Sequence, residues 1–446
     1  MMGRKGNFKK SARRQAPKRG VALVAIGVIL IAGSVMGQLV NPSKAFATGK
    51  QEVSKPAEVE KIKVGVLFSI TGAGSSVAKV QLDGVNLAIK QINENGGLMM
   101  GGKRVQVEAV IRDDETKPDV GVRRVREMVD EGVPLIVGGT FAHVSTAINE
   151  QIRSGQALFM ACNGIEENVF RKENKAPYYI SSLGAVDGIG RMGADYVTRT
   201  FKPKHVMLFL PDYAYGRGAA SGAHKVFDNK YPDIKVSETW SPVGTPDFTS
   251  YILKIRDAKP DVVMMGHWGD DAINALKQVY ELGLAKDTKI YFNCIILAFA
   301  VGIPPEALED LTMAWWWYHD LSGFKDRETM QAVSELTKEW KEEYGEPPDP
   351  FAVYAYVGMQ EVLRGVELSN SLEPKKVYEA LMNSPEFMSV KGPATWRIDG
   401  RPEYKYAMWM VDGNKPDQKR DKWDIGKVVD VYTGEELCLP LEEMGW

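Results

Sequence analysis

The sequence predicts an α/β fold made of two lobes, each built on a doubly wound parallel sheet. Three observations carry this reading. Strand-like and helix-like stretches alternate along most of the chain, as in parallel sheets flanked by helices. The series runs once to about residue 184 and then begins again. The 446 residues, 44 % of them hydrophobic, suffice for two ordinary domains.

The first unit sets the pattern. Ile62, Val64, Val66 and Phe68 alternate, and Leu67 fills a gap, as in a buried parallel strand. A small, glycine-rich loop, Ser69 to Ser76, follows. Val85, Ala88, Ile89 and Ile92 then mark one face of a helix that Gly96-Gly97 stop. Further strands are expected at Val105–Ile111, Leu135–Val137, Leu158–Met160 and Tyr178–Ile180. Helices are expected after Pro118 and around Val144, Ile148 and Ile152. The second series starts with a helix at Asp187. Strands follow at Val206–Leu210, Asp261–Met265 and Ile290–Phe292, with helices marked by Ala220 to Phe227, Phe248 to Ile255 and Ala272 to Val279.

The run Trp315-Trp316-Trp317-Tyr318 reads as a strand crossing back to the first half. Two long helices come next, one carrying Val333, Leu336, Trp340 and Tyr344, the other from Pro350 to Leu368. Thr395–Ile398 and Tyr404–Val411 flank Asp399-Gly400 and read as the two arms of a hairpin. The tail, Gly413–Trp446, is charged and proline-containing, and no element is assigned to it.

The N-terminus reads as an export signal rather than as part of the fold. Residues 1–20 carry eight basic residues and no acid, Val21 to Val40 is an apolar run, and Ala45-Phe46-Ala47 is a small-x-small cleavage site. Cleavage after Ala47 would start the mature chain at Thr48; an uncleaved anchor is the alternative, because about 20 apolar residues span a bilayer. Residues 1–47 hold nine of the 56 basic residues and none of the 58 acidic ones, so the rest carries 47 against 58, a net charge of −11. Such an acidic, well-mixed surface argues against nucleic acid as a partner. Three cysteines, Cys162, Cys294 and Cys438, allow one pair with one left over, or three buried thiols.

No catalytic set, cofactor motif or metal cluster is legible. Gly188-Ile-Gly190-Arg-Met-Gly193 matches the dinucleotide fingerprint in letters only, because these glycines fall within an expected helix, where close packing explains them better. The five histidines form no metal-ligand spacing. His143 and His267 lie in strand-end loops, where a ligand contact and a solvated ring fit equally. Asp113-Asp114 and Asp270-Asp271 read as caps or solvated carboxylates.

What stands out is the chemistry of the loops at the strand ends. Ser69 to Ser76, Gly139 to Ser145, Asn163-Gly164, Tyr213 to Gly216 and His267-Trp268 are small, hydroxylic or aromatic. Open parallel sheets bind ligands at this edge. Amides at helix starts suit an anionic group, and aromatic rings suit an apolar body.

Taken in order, "IKVGVLFSITGAGSS", "DGVNLAIKQINENGG", "VEAVIRDDETKPDVGVRRVREMV", "VPLIVGG", "YAYGRG", "DFTSYILKIRDAKPDVV" and "LKQVYELGL" resemble the periplasmic substrate-binding proteins of branched-chain amino-acid-type ABC transporters, the leucine-binding protein group. The resemblance covers residues 61–412. It implies a type I periplasmic binding fold: two Rossmann-like lobes joined by three hinge crossovers, with lobe 1 at about residues 61–184 and 318–400 and lobe 2 at about 185–317 and 401–412. Residues 1–47 are then the signal peptide, 48–60 a linker and 413–446 a C-terminal extension. It further implies a monomer in the periplasm that closes on a small-molecule ligand and delivers it to a membrane permease and its ATPase.

Carried over residue by residue, the resemblance places ligand contacts at Ala142, His143 and Ser145, and at Asn163, Gly164 and Ile165. Ser75 and Ser76 join them from the first loop, and Asp187, Tyr215 and Trp268 from the second lobe. The acidic residue that meets an amino group in that family aligns with Ile295. The family's hydroxyl near Ile165 and its first-lobe disulfide have no counterpart. The expected ligand is therefore an amino acid or, in keeping with Ile295, an apolar or aromatic carboxylate. A sensory protein signalling through a membrane receptor is the alternative reading of the same fold; a secreted enzyme would need a catalytic set.

Overall fold

The computed structural model describes residues 61–163, 165–184, 186–309 and 311–446. The expected signal peptide, linker and Gly164 lie outside these. Six strands form the first sheet: β1 (Lys61–Phe68), β2 (Leu98–Met100), β3 (Lys103–Asp113), β4 (Leu135–Gly138), β5 (Leu158–Ala161) and β6 (Tyr179–Ser181), in the order β2-β3-β1-β4-β5-β6. Helices α1 (Ser75–Glu94), α2 (Pro118–Asp130) and α3 (Ala142–Gln151) connect them.

The second lobe begins with α4 (Val186–Phe201), then β7 (His205–Pro211), α5 (Ala214–Lys230), β8 (Lys235–Ser241), α6 (Thr249–Ala258), β9 (Val262–Met265), α7 (Asp270–Glu281) and β10 (Lys289–Phe292). Two short helices, α8 (Leu297–Ala300) and α9 (Pro305–Leu308), lead to β11 (Leu311–Trp315). The chain then crosses to the first lobe for α10 (Arg327–Tyr344), α11 (Pro350–Ser369) and α12 (Pro374–Met382). There a small sheet of β12 (Phe387–Ser389), β13 (Gly392–Trp396) and β14 (Pro402–Tyr404) forms, before β15 (Met408–Gly413) and β16 (Gly426–Tyr432) join the second sheet and α13 (Gly434–Leu437) follows. The second sheet runs β16-β15-β11-β10-β9-β7-β8.

The chain thus passes from one lobe to the other between β6 and α4, after Trp315 and after Tyr404, three crossovers before the tail. The sheets are mainly parallel but not wholly so. β2 pairs antiparallel with β3, and β15 pairs antiparallel with both β11 and β16. These strands extend the sheets at one edge, where an antiparallel neighbour needs no crossover helix. The Trp315 run is a strand of the second lobe, and the chain leaves it only at Trp316. The expected second hairpin arm, Tyr404–Val411, is divided. β14 completes the hairpin, while β15 lies in the other lobe's sheet.

The hinge is pinned from inside. Lys391 is 0 % exposed and donates to the carbonyls of Trp316 and Ala407 and to the Tyr354 hydroxyl, tying the second and third crossovers to α11. All three ammonium protons thereby find acceptors, although burial disfavours the charged form.

The fingerprint-like glycines are packing positions, as their place in a helix suggests. A Cβ at Gly190 would sit 1.9 Å from the Ala219 carbonyl oxygen, and one at Gly222 2.0 Å from that of Asp187, so α4 and α5 meet backbone to backbone. Gly190→Ala is expected to lower unfolding stability by about 1–3 kcal/mol, since the helices must part. Urea denaturation checks this, and an unchanged midpoint would show that the contact yields freely.

Candidate ligand-binding cleft

Strand order locates the site. In the first sheet the chain goes from β1 to β3 on one side and then to β4 on the other. In the second it goes from β7 to β8 and then back past β7 to β9. These reversals are topological switch points, where the loops diverge and leave a crevice beyond the strand ends. The loops concerned are those singled out in the sequence: after β1 and β4 in lobe 1, after β7 and β9 in lobe 2.

Lobe 1 builds its side from buried polar groups. Thr140 Oγ1 accepts from the Ser69 amide at 3.1 Å and donates to Gln81 Oε1 at 2.8 Å. Gln81 Nε2 donates to the Gly139 carbonyl at 3.0 Å, and Asn163 Nδ2 to the Thr140 carbonyl at 3.1 Å. The loops after β1, β4 and β5 are thus one hydrogen-bonded unit, with Gln81 and Thr140 as its buried centre. Asp113 and Asp114 serve the same unit. Asp113 accepts from the amides of Ile70, Thr71 and Glu115, while Asp114 accepts from the Ser69 hydroxyl and the Thr116 amide. They hold Glu115 and Thr116 at φ +54° and +62°, a conformation that needs such local support.

On that frame Ala142 starts α3. His143 is exposed, its Nε2 3.2 Å from the Thr116 carbonyl oxygen. Ser145 is 1 % exposed and lies beside the Tyr179 phenol, one turn below the loop. The neighbouring Thr146 hydroxyl is buried and finds no hydrogen-bond partner among the described residues. Ile165 is buried, Asn163 is half-buried, and Ser75 and Ser76 are the exposed first residues of α1.

Lobe 2 contributes aromatic rings. Trp268 stands 6.3 Å from Tyr215 and 4.9 Å, edge-on, from Phe299. Its third neighbour, at 5.4 Å, is Phe351 at the start of α11, which belongs to lobe 1. The Tyr215 hydroxyl is buried without a partner among the described residues, and burial raises its pKa far enough to keep the phenol neutral. Tyr213 adds a partly exposed ring 5.8 Å from Tyr215.

Three carboxylates and Ile295 bear on the charge a ligand would meet. Asp212 pairs with Arg217 on the surface. Asp187 is raised by burial, then by Glu167, with Arg191 opposing, so its charged neighbours are those of the hinge. Ile295 is fully buried, and its amide donates to the Ala314 carbonyl. Asp349, which the sequence reading passed over, is 6 % exposed. Its Oδ1 accepts from the Phe351 amide at 3.0 Å and its Oδ2 from the Leu297 amide at 3.1 Å. Asp-Pro before a helical run is an N-cap signal, but it says nothing of a reach to the other lobe.

His267 is a core residue rather than a loop contact. It lies 4.6 Å from Phe209 and 5.1 Å from Phe248, its Nε2 is 3.0 Å from Ser241 Oγ, and burial lowers it to about 3, hence neutral. All three cysteines are free and buried. Among the described residues no cluster suits a metal ion, and no helix is long and apolar enough to cross a membrane.

Two α/β lobes, hinged by three crossovers and facing each other at their switch points, define a binding protein of the two-lobed type. The chain belongs to the periplasmic binding protein family, which it matches over residues 61–417. It is similar to the Leu/Ile/Val-binding protein homolog 2 of Brucella abortus, 25 % identical over 353 residues, covering 78 % of this chain and 90 % of the relative. Among solved structures it is similar to a branched chain amino acid ABC transporter periplasmic ligand-binding protein from Burkholderia xenovorans LB400. There the TM-score is 0.73 at 23 % identity, over 86 % of this chain and 98 % of that one. A solute binding protein of an ABC transporter from Rhodopseudomonas palustris BisB5, in complex with 3,4-dihydroxy benzoic acid, gives 0.69 at 19 %, over 84 % and 98 %.

Proposed function

We propose that this protein captures a small organic ligand between its lobes outside the cytoplasm and delivers it, as a monomer, to the permease and ATPase of an ABC importer. The observation that carries this reading is the meeting of Trp268 and Phe351 from opposite lobes, beside the switch points of both sheets. In this reading residues 1–47 direct export, 61–412 form the binding unit, and 413–446 add β16 to the second lobe and brace the hinge. A sensory role through a membrane receptor would use the same cleft, and the fold by itself does not separate the two.

The ligand class we favour is a carboxylate with an apolar or aromatic body. An α-amino acid in a dry cleft needs a carboxylate for its ammonium group, because an unpaired buried charge costs several kcal/mol. Ile295 occupies that place in the alignment, Asp212 is taken by Arg217, Asp187 lies among the charged groups of the hinge, and Asp349 is engaged by the Phe351 and Leu297 amides. The aromatic rings around Trp268 suit a planar or apolar body. The Rhodopseudomonas neighbour binds such an acid, whereas the Brucella relative is named for amino acids.

Calorimetry with leucine, isoleucine and valine beside their deaminated analogues and benzoate tests the class, and small-angle scattering on the same mixtures tests closure. The acids are expected to bind and to reduce the radius of gyration. Micromolar leucine binding with silent acids would overturn the ligand class. Saturating binding without contraction would overturn the hinged mechanism.

A further inference from the structure

The Asp349 carboxylate lies in the seam between the lobes. One oxygen caps α11 of lobe 1 through the Phe351 amide, and the other receives the Leu297 amide of lobe 2. The next residue of α11 but one, Phe351, rests against Trp268 of lobe 2. The titratable groups facing it are Glu346, on the loop before α11, and the Cys294 thiol, from the end of β10. Burial keeps that thiol protonated, and Glu346 adds only further negative charge. The carboxylate is therefore buried between two moving bodies with amides for company and no cation.

We propose that Asp349 is a positioning residue that couples closure of the cleft to proton uptake, by joining Leu297 of lobe 2 to the first turn of α11 and seating Phe351 on Trp268. Closure itself rests on the hinged reading above. Opening separates Leu297 from Asp349 and returns the carboxylate to water and to its ordinary range. In the closed arrangement burial outweighs the opposing amide bonds and raises the carboxyl to about 6. The closed form thus holds the proton more tightly. Its advantage is complete below the ordinary carboxylate range and is lost as pH rises through about 6. A shift of this size corresponds to a change of up to about 100-fold in the closed-to-open ratio.

Small-angle scattering of the ligand-free protein between pH 8 and pH 4.5 tests this, with circular dichroism confirming that each variant folds. The natural protein is expected to contract on acidification, the change setting in as pH falls through about 6. Asp349→Asn, which keeps an acceptor oxygen and removes the proton equilibrium, is expected to show no transition there. Leu297→Pro deletes one of the two lobe-2 amides that face Asp349, leaving that of Ala298 and Asp349 itself in place. Proline is tolerated at this first helical position, and the extended backbone of Ile296 suits it. That variant is expected to move the midpoint upward, since the charged form loses a donor. A flat profile in the natural protein, an unchanged transition in Asp349→Asn or an unmoved midpoint in Leu297→Pro would overturn the proposal. Because no ligand is added, a silent ligand panel leaves this result intact. Conversely, contraction with ligand but not with acid ends this proposal and spares the binding function.

Discussion

Replacing Arg401 with alanine is expected to lower the free energy of unfolding by about 3–5 kcal/mol, the range for removing one partner of a buried ion pair. Arg401 is 1 % exposed. It meets Glu167 at 2.6 Å and Asp399 at 2.8 Å, both themselves buried. Glu167 also pairs with Arg191 of α4 in the second lobe, and Asp399 with Arg397. Without Arg401 two carboxylates share the remaining guanidiniums at longer range, 3.3 and 3.1 Å. The damage extends to the tail. Arg191 and Arg397 also donate to the carbonyls of Leu437 and Leu439, which bring the C-terminal segment across the first crossover. The segment ends on lobe 1, where Trp446 Nε1 donates to the Phe170 carbonyl. Denaturant titration of Arg401→Ala measures the loss, and limited proteolysis reads release of residues beyond Tyr432. A loss below about 1 kcal/mol would show that the network is solvated and not structural.

That network shows where the sequence was legible and where it was not. Most of the parallel strands could be read because each of these is a short apolar run followed by a helix with its own period, both local signals. The switch-point loops could be read because small and aromatic residues cluster after strand ends. β8 escaped notice: Lys235–Ser241 is a half-exposed edge strand with charged and hydroxylic residues, so no apolar run marks it. β16 is similarly mixed, and it is a strand only because β15 offers it an edge. The tail's short helix did carry a local sign, the capping box of Thr433 and Glu436. Its path across the hinge depends on Arg191 and Arg397, more than 40 residues away in each case or buried in another element. In the site, Gln81 and Asp349 were missed for one reason. Each sits on a helix that reads as ordinary, and each acts through a hydrogen bond to a distant loop, Gln81 to Gly139 and Asp349 to Leu297.

Ile295→Glu is expected to invert the ligand preference. Ile295 follows β10 at the end of the second sheet, fully buried, in a stretch where the adjacent Cys294 neighbours both Tyr215 and Asp349. A glutamate there restores the acid that the alignment places opposite an ammonium group. In the empty protein it adds a buried carboxylate without a cation, so unfolding stability is expected to fall by several kcal/mol. Leucine then supplies the missing cation and regains part of that loss, which appears as a larger thermal shift than leucine gives the natural protein. A carboxylate ligand meets the opposite situation. Two like charges about 5 Å apart at an effective dielectric constant near 20 repel by about 3 kcal/mol, on the order of a 100-fold loss of affinity. Calorimetry with leucine and benzoate on both proteins reads the two effects separately. Acid affinity unchanged by the substitution, with no gain for leucine, would show that position 295 does not reach the ligand, and the carboxylate reading would lose its main support.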